Sequence, residues 1–191
     1  MRAGYVLTGG RSSRFGVNKA FADVDGKPMA VHVADRVRAV CDSVTLVGPA
    51  ETYGLLGLRV IEDSVADFGP VAGILAALED SSARWSLIVA CDMPSVRMDF
   101  LDLLLQRAES SSVDVVMPLD GEGREQPLCA VYSKRVEAPL RRAVATGISK
   151  VRRALEGSSI AYLPRSEYAE MDPTGDMLLN VNRPEDLGRR R

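Results

Sequence analysis

Residues 8–19 hold the densest chemistry in the chain. Thr8, Gly9 and Gly10 are followed by three cations, Arg11, Arg14 and Lys19, with Ser12 and Ser13 between the arginines and Gly16 ahead of the lysine. Two adjacent glycines permit positive φ and let bare backbone approach a ligand. Successive exposed N–H groups in such a bend can form a concave anion site. Free amides followed by arginine and lysine suit a polyphosphate, which needs many donors and positive charge. The competing reading is a surface turn with solvated arginines. Position favours the phosphate, because the bend follows an apolar run over residues 4–7 that reads as a buried strand. In open α/β sheets, ligands bind beyond the carboxyl ends of the strands. The bend is neither of two familiar phosphate loops. A P-loop would need glycine where Phe15 stands, five residues past Gly10, and no Gly-x-Gly-x-x-Gly pattern occurs.

Asp92 is the sharpest single residue. It ends the most strand-like run in the sequence, residues 85–91, and a carboxylate there is costly unless something pairs with it. It reads either as a cap or salt-bridge partner, or as a Mg²⁺ ligand. Mg²⁺ typically takes one or two protein carboxylates and completes its shell with water and substrate phosphates. Met93 and Pro94 follow, so there is no Asp-x-Asp pair of the kind a glycosyltransferase would offer. His32, the lone histidine, lies off the apolar stripe of its segment and reads as a surface or satisfied residue. Cys41, Cys91 and Cys129 are isolated and indicate neither a disulfide framework nor a zinc site. Cys91 and Cys129 adjoin or lie in strands and read as packing residues.

The elements that must position these groups alternate in type. Short strands are expected over residues 21–24, 44–47, 60–61, 113–117, 128–132 and 160–163, beside those already named. The link before 128–132 is short and polar, which favours an antiparallel strand there. Met29, Val33, Val37 and Cys41 mark one face of a helix that Pro28 can open. Further helices are expected over 71–78, begun by Gly69 and Pro70, over 99–109 and over 136–146. Ser149 is placed to cap a short one ending at Gly157, and residues 184–187 form a last helical turn. Such alternation makes an α/β chain with a mostly parallel sheet. At 191 residues, 46% hydrophobic and 26% charged, the composition is that of a globular protein. A net charge of −2 argues against a general nucleic-acid binder. No apolar run is long enough for a membrane span, and a strand starting near the first residue leaves no room for a signal peptide. The expectation is a cytoplasmic protein with one domain over residues 1–187 and a basic, disordered tail over 188–191.

The loop from Leu7 to Lys19 resembles the signature of the nucleotidyltransferases typified by molybdenum cofactor guanylyltransferase. Further matches fall in order along nearly the whole chain. They are Gly26, Lys27 and Pro28, then Glu62, Asp63 and Ser64, residues 69–73, residues 91–94, residues 126–132 and residues 180–185. Together they favour the guanylyl enzyme over its cytidylyl relatives, which remain the alternative, with CTP in place of GTP. The resemblance implies a three-layer, Rossmann-like nucleotidyltransferase fold with a mostly parallel central sheet and helices on both faces. It implies transfer of GMP from GTP to molybdopterin with release of pyrophosphate, assisted by Mg²⁺. By the same resemblance Leu7, Thr8, Gly9 and Gly10 line the nucleotide, Lys19 meets its phosphates and Asp63 meets the nucleoside, while charge alone places Arg14 with Lys19 at the departing pyrophosphate. Asp92 meets both nucleotide and Mg²⁺, while Asn180 and Asn182 match the pterin side of the pocket. Transient contact with molybdoenzymes or cofactor-synthesis proteins follows as an expectation. Two residues depart from the pattern: Thr8 stands where alanine is usual, and Val47 where some members carry an asparagine that touches the nucleotide.

Overall fold

The structure is a computed structural model and describes residues 1–8, 18–63, 65 and 68–187. The first strand, β1 (Arg2–Leu7), is buried at every position after Arg2. Beyond Asn18 the chain makes a 3₁₀ turn over Lys19–Phe21. A minimal hairpin of β2 (Asp23–Val24) and β3 (Lys27–Pro28) follows. The strand expected over residues 21–24 therefore shrinks to its last two residues. Asn18 is the cause: its Oδ1 accepts from the Ala20 amide at 3.1 Å, capping a helical turn where extended chain was expected. Helix α1 (Met29–Arg38) starts one residue after Pro28, which serves as its N-cap. Met29, Val33, Val37 and Cys41 are all buried, as their spacing requires.

Next come β4 (Ser43–Val47), the short α2 (Ala50–Tyr53), β5 (Val60–Ile61) and α3 (Pro70–Asp80). The helical turn α2 has no periodic signal and was not anticipated. The chain continues through β6 (Trp85–Ala90), α4 (Met98–Glu109), β7 (Val115–Pro118), β8 (Cys129–Ser133), α5 (Glu137–Ala145), α6 (Val151–Ala154), β9 (Ile160–Leu163) and α7 (Pro184–Leu187). Lys150, not Ser149, occupies the N-cap of α6, and no side chain caps it. The tail over residues 188–191 lies outside the described residues.

Seven strands form one sheet in the order β5-β4-β1-β6-β8-β7-β9. All neighbours run parallel except β8, which is antiparallel to both β6 and β7. Strand residues alternate between two layers. Val6, Leu46, Leu87, Val89 and Val131 face the layer that contains α1 and α4. Tyr5, Leu7, Ile88, Ala130 and Tyr132 face α3, α5 and α6. Helix α3 is buried at every position from Val71 to Leu78 because it is clasped between the sheet and α5. Helices thus cover both faces of a mostly parallel sheet, the three-layer α/β arrangement expected. Of the two readings of His32 the satisfied one holds: it is buried, and its Nε2 lies 3.2 Å from the Pro94 carbonyl oxygen. No helix among the described residues is long and apolar enough to cross a membrane.

Gly4 shows how closely α1 sits on β1. A Cβ there would stand 2.2 Å from Val37 Cγ1 and 3.2 Å from both Cys41 Sγ and the Ser43 carbonyl oxygen. Gly4→Ala is therefore expected to destabilise the fold by about 1–3 kcal/mol through overpacking. Thermal unfolding checks this, with Tm falling about 2–4 °C for each kcal/mol in a chain of this size.

Candidate active site

The sheet changes direction at β1. Strands β4 and β5 extend to one side of it, and α3 then carries the chain across to β6 on the other. A ligand crevice is expected where the strand order reverses, outside the carboxyl ends. Here β1 and β6 stay in register to their last residues, Leu7 opposite Ala90. The Cys91 amide then donates to the Leu7 carbonyl at 3.0 Å. Thr8 and Asp92, distant in sequence, leave the sheet side by side.

Thr8 is fixed from three directions. Its amide and its hydroxyl both donate to the Val47 carbonyl, at 3.0 Å and 2.8 Å. Its own carbonyl accepts from the Tyr53 hydroxyl at 2.7 Å. What Thr8 presents at the rim is therefore a placed backbone rather than a free hydroxyl. Gly48 is needed beside it, because its φ of +155° is joined to a close approach. A Cβ there would meet Thr8 Oγ1 at 2.6 Å and the Tyr53 ring at 2.8 Å. Leu7 is buried and points to α3, where Gly73 leaves room for it, an added Cβ standing 3.4 Å from Leu7 Cδ2.

The 3₁₀ turn brings Lys19 back over these strand ends. Its Nζ lies 2.6 Å from Asp92 Oδ2, with side-chain exposures of 20% and 16%. Water therefore reaches the pair, and so could a ligand. The same Nζ lies 3.4 Å from the Val181 carbonyl oxygen, and the Val181 amide donates to the Asp92 carbonyl at 2.8 Å. The Val181 side chain is buried with Val24 and Met29, so the segment holding it is pinned across the Asp92 strand end. Asn180 and Asn182 flank it and are exposed. Asp63 lies two residues past β5 on the same carboxyl rim, two strand positions from β1, on the order of 10 Å away by ordinary strand spacing.

Leu7, Thr8, Lys19, Asp92 and the pair Asn180 and Asn182 thus gather at one end of β1 and β6, and Asp63 stands farther along that rim. Gly9, Gly10 and Arg14 lie outside the described residues. Both readings of Asp92 retain force: it is a salt-bridge partner, and it is also a partly solvated carboxylate at a switch point. The described residues contain no group of three or more His, Cys, Asp or Glu able to cage a metal. Asp92 suits Mg²⁺, which needs one or two protein carboxylates and completes its shell from water and phosphate; the described residues offer no zinc or calcium cage. Cys91 and Cys129 are buried, and burial pushes both thiols up to about 12. Inert packing is their role. Three contributors had no signature in the sequence: Val181 acts through its backbone, and Tyr53 and Asn18 through contacts made across the fold.

The family description MobA-like NTP transferase domain matches residues 4–162. A "probable molybdenum cofactor guanylyltransferase" of Pelotomaculum thermopropionicum is 34% identical over 96% of this chain and 89% of its own. The molybdenum cofactor guanylyltransferase of Desulfosudis oleivorans is 32% identical over 96% of this chain and 91% of its own. The crystal structure of molybdopterin-guanine dinucleotide biosynthesis protein A from Archaeoglobus fulgidus superposes with a TM-score of 0.85 at 27% identity. That likeness covers 100% of this chain and 96% of the other. The matches take in both strand ends and the residues gathered there, so the resemblance read from the loop extends to the whole fold: the protein belongs to the MobA-like NTP transferase family and is a nucleotidyltransferase.

Proposed function

We propose that the protein transfers GMP from GTP to the phosphate of molybdopterin and releases pyrophosphate. The observation that carries this is the meeting of Lys19 and Asp92 at 2.6 Å beside Thr8, at the reversal of strand order. Relatives that carry the guanylyltransferase name support the choice of nucleotide and acceptor. Both reactants are anions, so the protein's task is to neutralise charge and align groups, with little covalent work of its own. The acceptor phosphate oxygen attacks the α-phosphorus in line. The bond to the bridging oxygen breaks, and pyrophosphate leaves with the electron pair. No protein nucleophile is required, in keeping with the buried thiols of Cys91 and Cys129.

Asp92 would hold Mg²⁺, which when bound supplies Lewis-acid charge at the phosphate oxygens. Lys19 gives up its bond to Asp92 and offers its ammonium donors to the β- and γ-phosphates, with Arg14 beside the departing pyrophosphate. Leu7, Thr8, Gly9 and Gly10 line the nucleotide and Asp63 meets the nucleoside. Asn180 and Asn182 face the acceptor, held there by the Val181 backbone. Delivery of the product implies transient contact with molybdoenzymes or cofactor-synthesis proteins.

The test is pyrophosphate release from GTP, CTP, ATP and UTP, each with and without molybdopterin, in the presence of Mg²⁺. Release from GTP that depends on molybdopterin is expected. A preference for CTP would make the protein a cytidylyltransferase, and no release from any nucleotide would refute the transfer.

A further inference from the structure

Thr8 and Asn18 bound the residues 9–17, which lie outside the described residues, and one side chain touches both of them. The Tyr53 hydroxyl donates to the Thr8 carbonyl at 2.7 Å and accepts from Asn18 Nδ2 at 3.1 Å. A phenol has one donor and can accept, so both capacities are used. The ring is 4% exposed, lies against Gly48, and stacks on Phe21 with centroids 6.0 Å apart and planes 14° from parallel. Phe21 closes the 3₁₀ turn that begins at Lys19. Tyr53 thus contacts Thr8, Asn18 and the turn that presents Lys19.

We propose that Tyr53 is a positioning residue for the triphosphate, joining Thr8 to Asn18 through its hydroxyl and thereby fixing Lys19 opposite Asp92. This rests on the nucleotidyl-transfer reading above for what Lys19 binds, but the clamp itself does not depend on it. Three features favour a positioning role over mere filling. The hydroxyl bonds both Thr8 and Asn18, where a packing tyrosine needs only one partner. Gly48 has no side chain where one would displace the ring. The Asn18 amide side chain is divided between two tasks, its Nδ2 on Tyr53 and its Oδ1 on the Ala20 amide at 3.1 Å. The cap that starts the Lys19 turn is therefore oriented by the tyrosine. Burial raises the Tyr53 pKa, so the hydroxyl keeps its proton and stays a donor to Thr8 across the physiological range.

Tyr53→Phe removes the hydroxyl and keeps the ring. In the ligand-free protein, amide hydrogen exchange over residues 18–22 is expected to rise about fivefold to tenfold, the scale of one or two net hydrogen bonds lost. Exchange in β6 should stay unchanged. Unchanged exchange over 18–22 would overturn the clamp, whatever the enzyme turns out to transfer. In calorimetry, GTP affinity is expected to fall about fivefold to tenfold, with GMP affinity held within about twofold and Tm lowered only slightly. Equal weakening of both nucleotides, or a lowered Tm with unchanged GTP affinity, would reduce Tyr53 to a packing residue and overturn the proposal. Asn18→Ala supplies the second variant, and its effect on GTP should be smaller in the Tyr53→Phe background than in the native protein. Full additivity would also count against a shared clamp. A native protein that binds GTP yet releases no pyrophosphate with molybdopterin refutes the transfer reaction and leaves these comparisons standing.

Discussion

Asp92→Asn is expected to lower kcat/KM for pyrophosphate release on the order of a hundredfold or more, the cost of removing one preorganised electrostatic group, with the fold retained. The fold should survive because the change is nearly isosteric and the new amide oxygen can still accept from Lys19. The 2.6 Å contact becomes an ordinary hydrogen bond instead of an ion pair, and the backbone link from Val181 to the Asp92 carbonyl is untouched. At 16% side-chain exposure the site is partly solvated, so any stability loss should be small by the standards of a buried pair. Catalysis should suffer because asparagine brings no negative charge with which to hold a divalent cation. A second signature separates a metal role from a structural one. GTP binding by the native protein is expected to weaken when Mg²⁺ is chelated, whereas the Asp92→Asn protein should show little dependence on Mg²⁺. In the variant Lys19 is no longer held by a carboxylate, and the triphosphate no longer faces one. Calorimetry with and without chelator measures both. Near-normal turnover at saturating Mg²⁺ would refute the metal assignment.

Much of the architecture was legible because it is written in side-chain type. The unbroken apolar run of β6 reflects burial at all six positions, and the four-residue spacing of Met29, Val33 and Val37 reflects one buried face of α1. The reversed sense of β8 followed from the short polar link before it. Where local signals compete, the reading slipped. Residues 21–24 have strand-like composition, yet the Asn18 side chain converts their first half into a turn. Other features leave no trace in residue type. Val181 binds Asp92 and Lys19 through a peptide group that any residue would supply, so its sequence neighbours Asn180 and Asn182 attract attention while the structural contact lies between them. Tyr53 sits in a helical turn too short to show a period. Its partners Thr8 and Asn18 are brought to it only after β1 and β4 pair, by the bonds from Thr8 to the Val47 carbonyl. Sequence reasoning could thus place the carboxylate at a strand end and a lysine a short way beyond the first strand. It could not say that they meet directly, nor which residue holds the returning chain in place.

That direct meeting shapes what the loss of Lys19 should do. In the ligand-free protein the ammonium group offsets Asp92 and also approaches the Val181 carbonyl, so it is both a scaffold contact and the cation proposed for the β- and γ-phosphates. Lys19→Ala removes both roles and leaves Asp92 negative at the mouth of a site meant for a polyanion. A charge-assisted hydrogen bond is worth about 1.5–3 kcal/mol, so GTP affinity is expected to fall roughly tenfold to a hundredfold. GMP, which has neither distal phosphate, should lose only a few-fold. The ratio of the two losses is the diagnostic quantity, because damage to the fold or to the nucleoside side would weaken both ligands alike. Pairing the two variants sharpens the inference. If Lys19 and Asp92 act as one unit, then with Mg²⁺ chelated, adding Lys19→Ala to Asp92→Asn should cost less GTP affinity than it does alone, since the uncompensated carboxylate that repels the triphosphate is then gone. Calorimetric titration of the four proteins with GTP and GMP measures this coupling. Equal loss for both nucleotides would place Lys19 outside the phosphate site, and simple additivity would show that its contact with Asp92 has no bearing on binding.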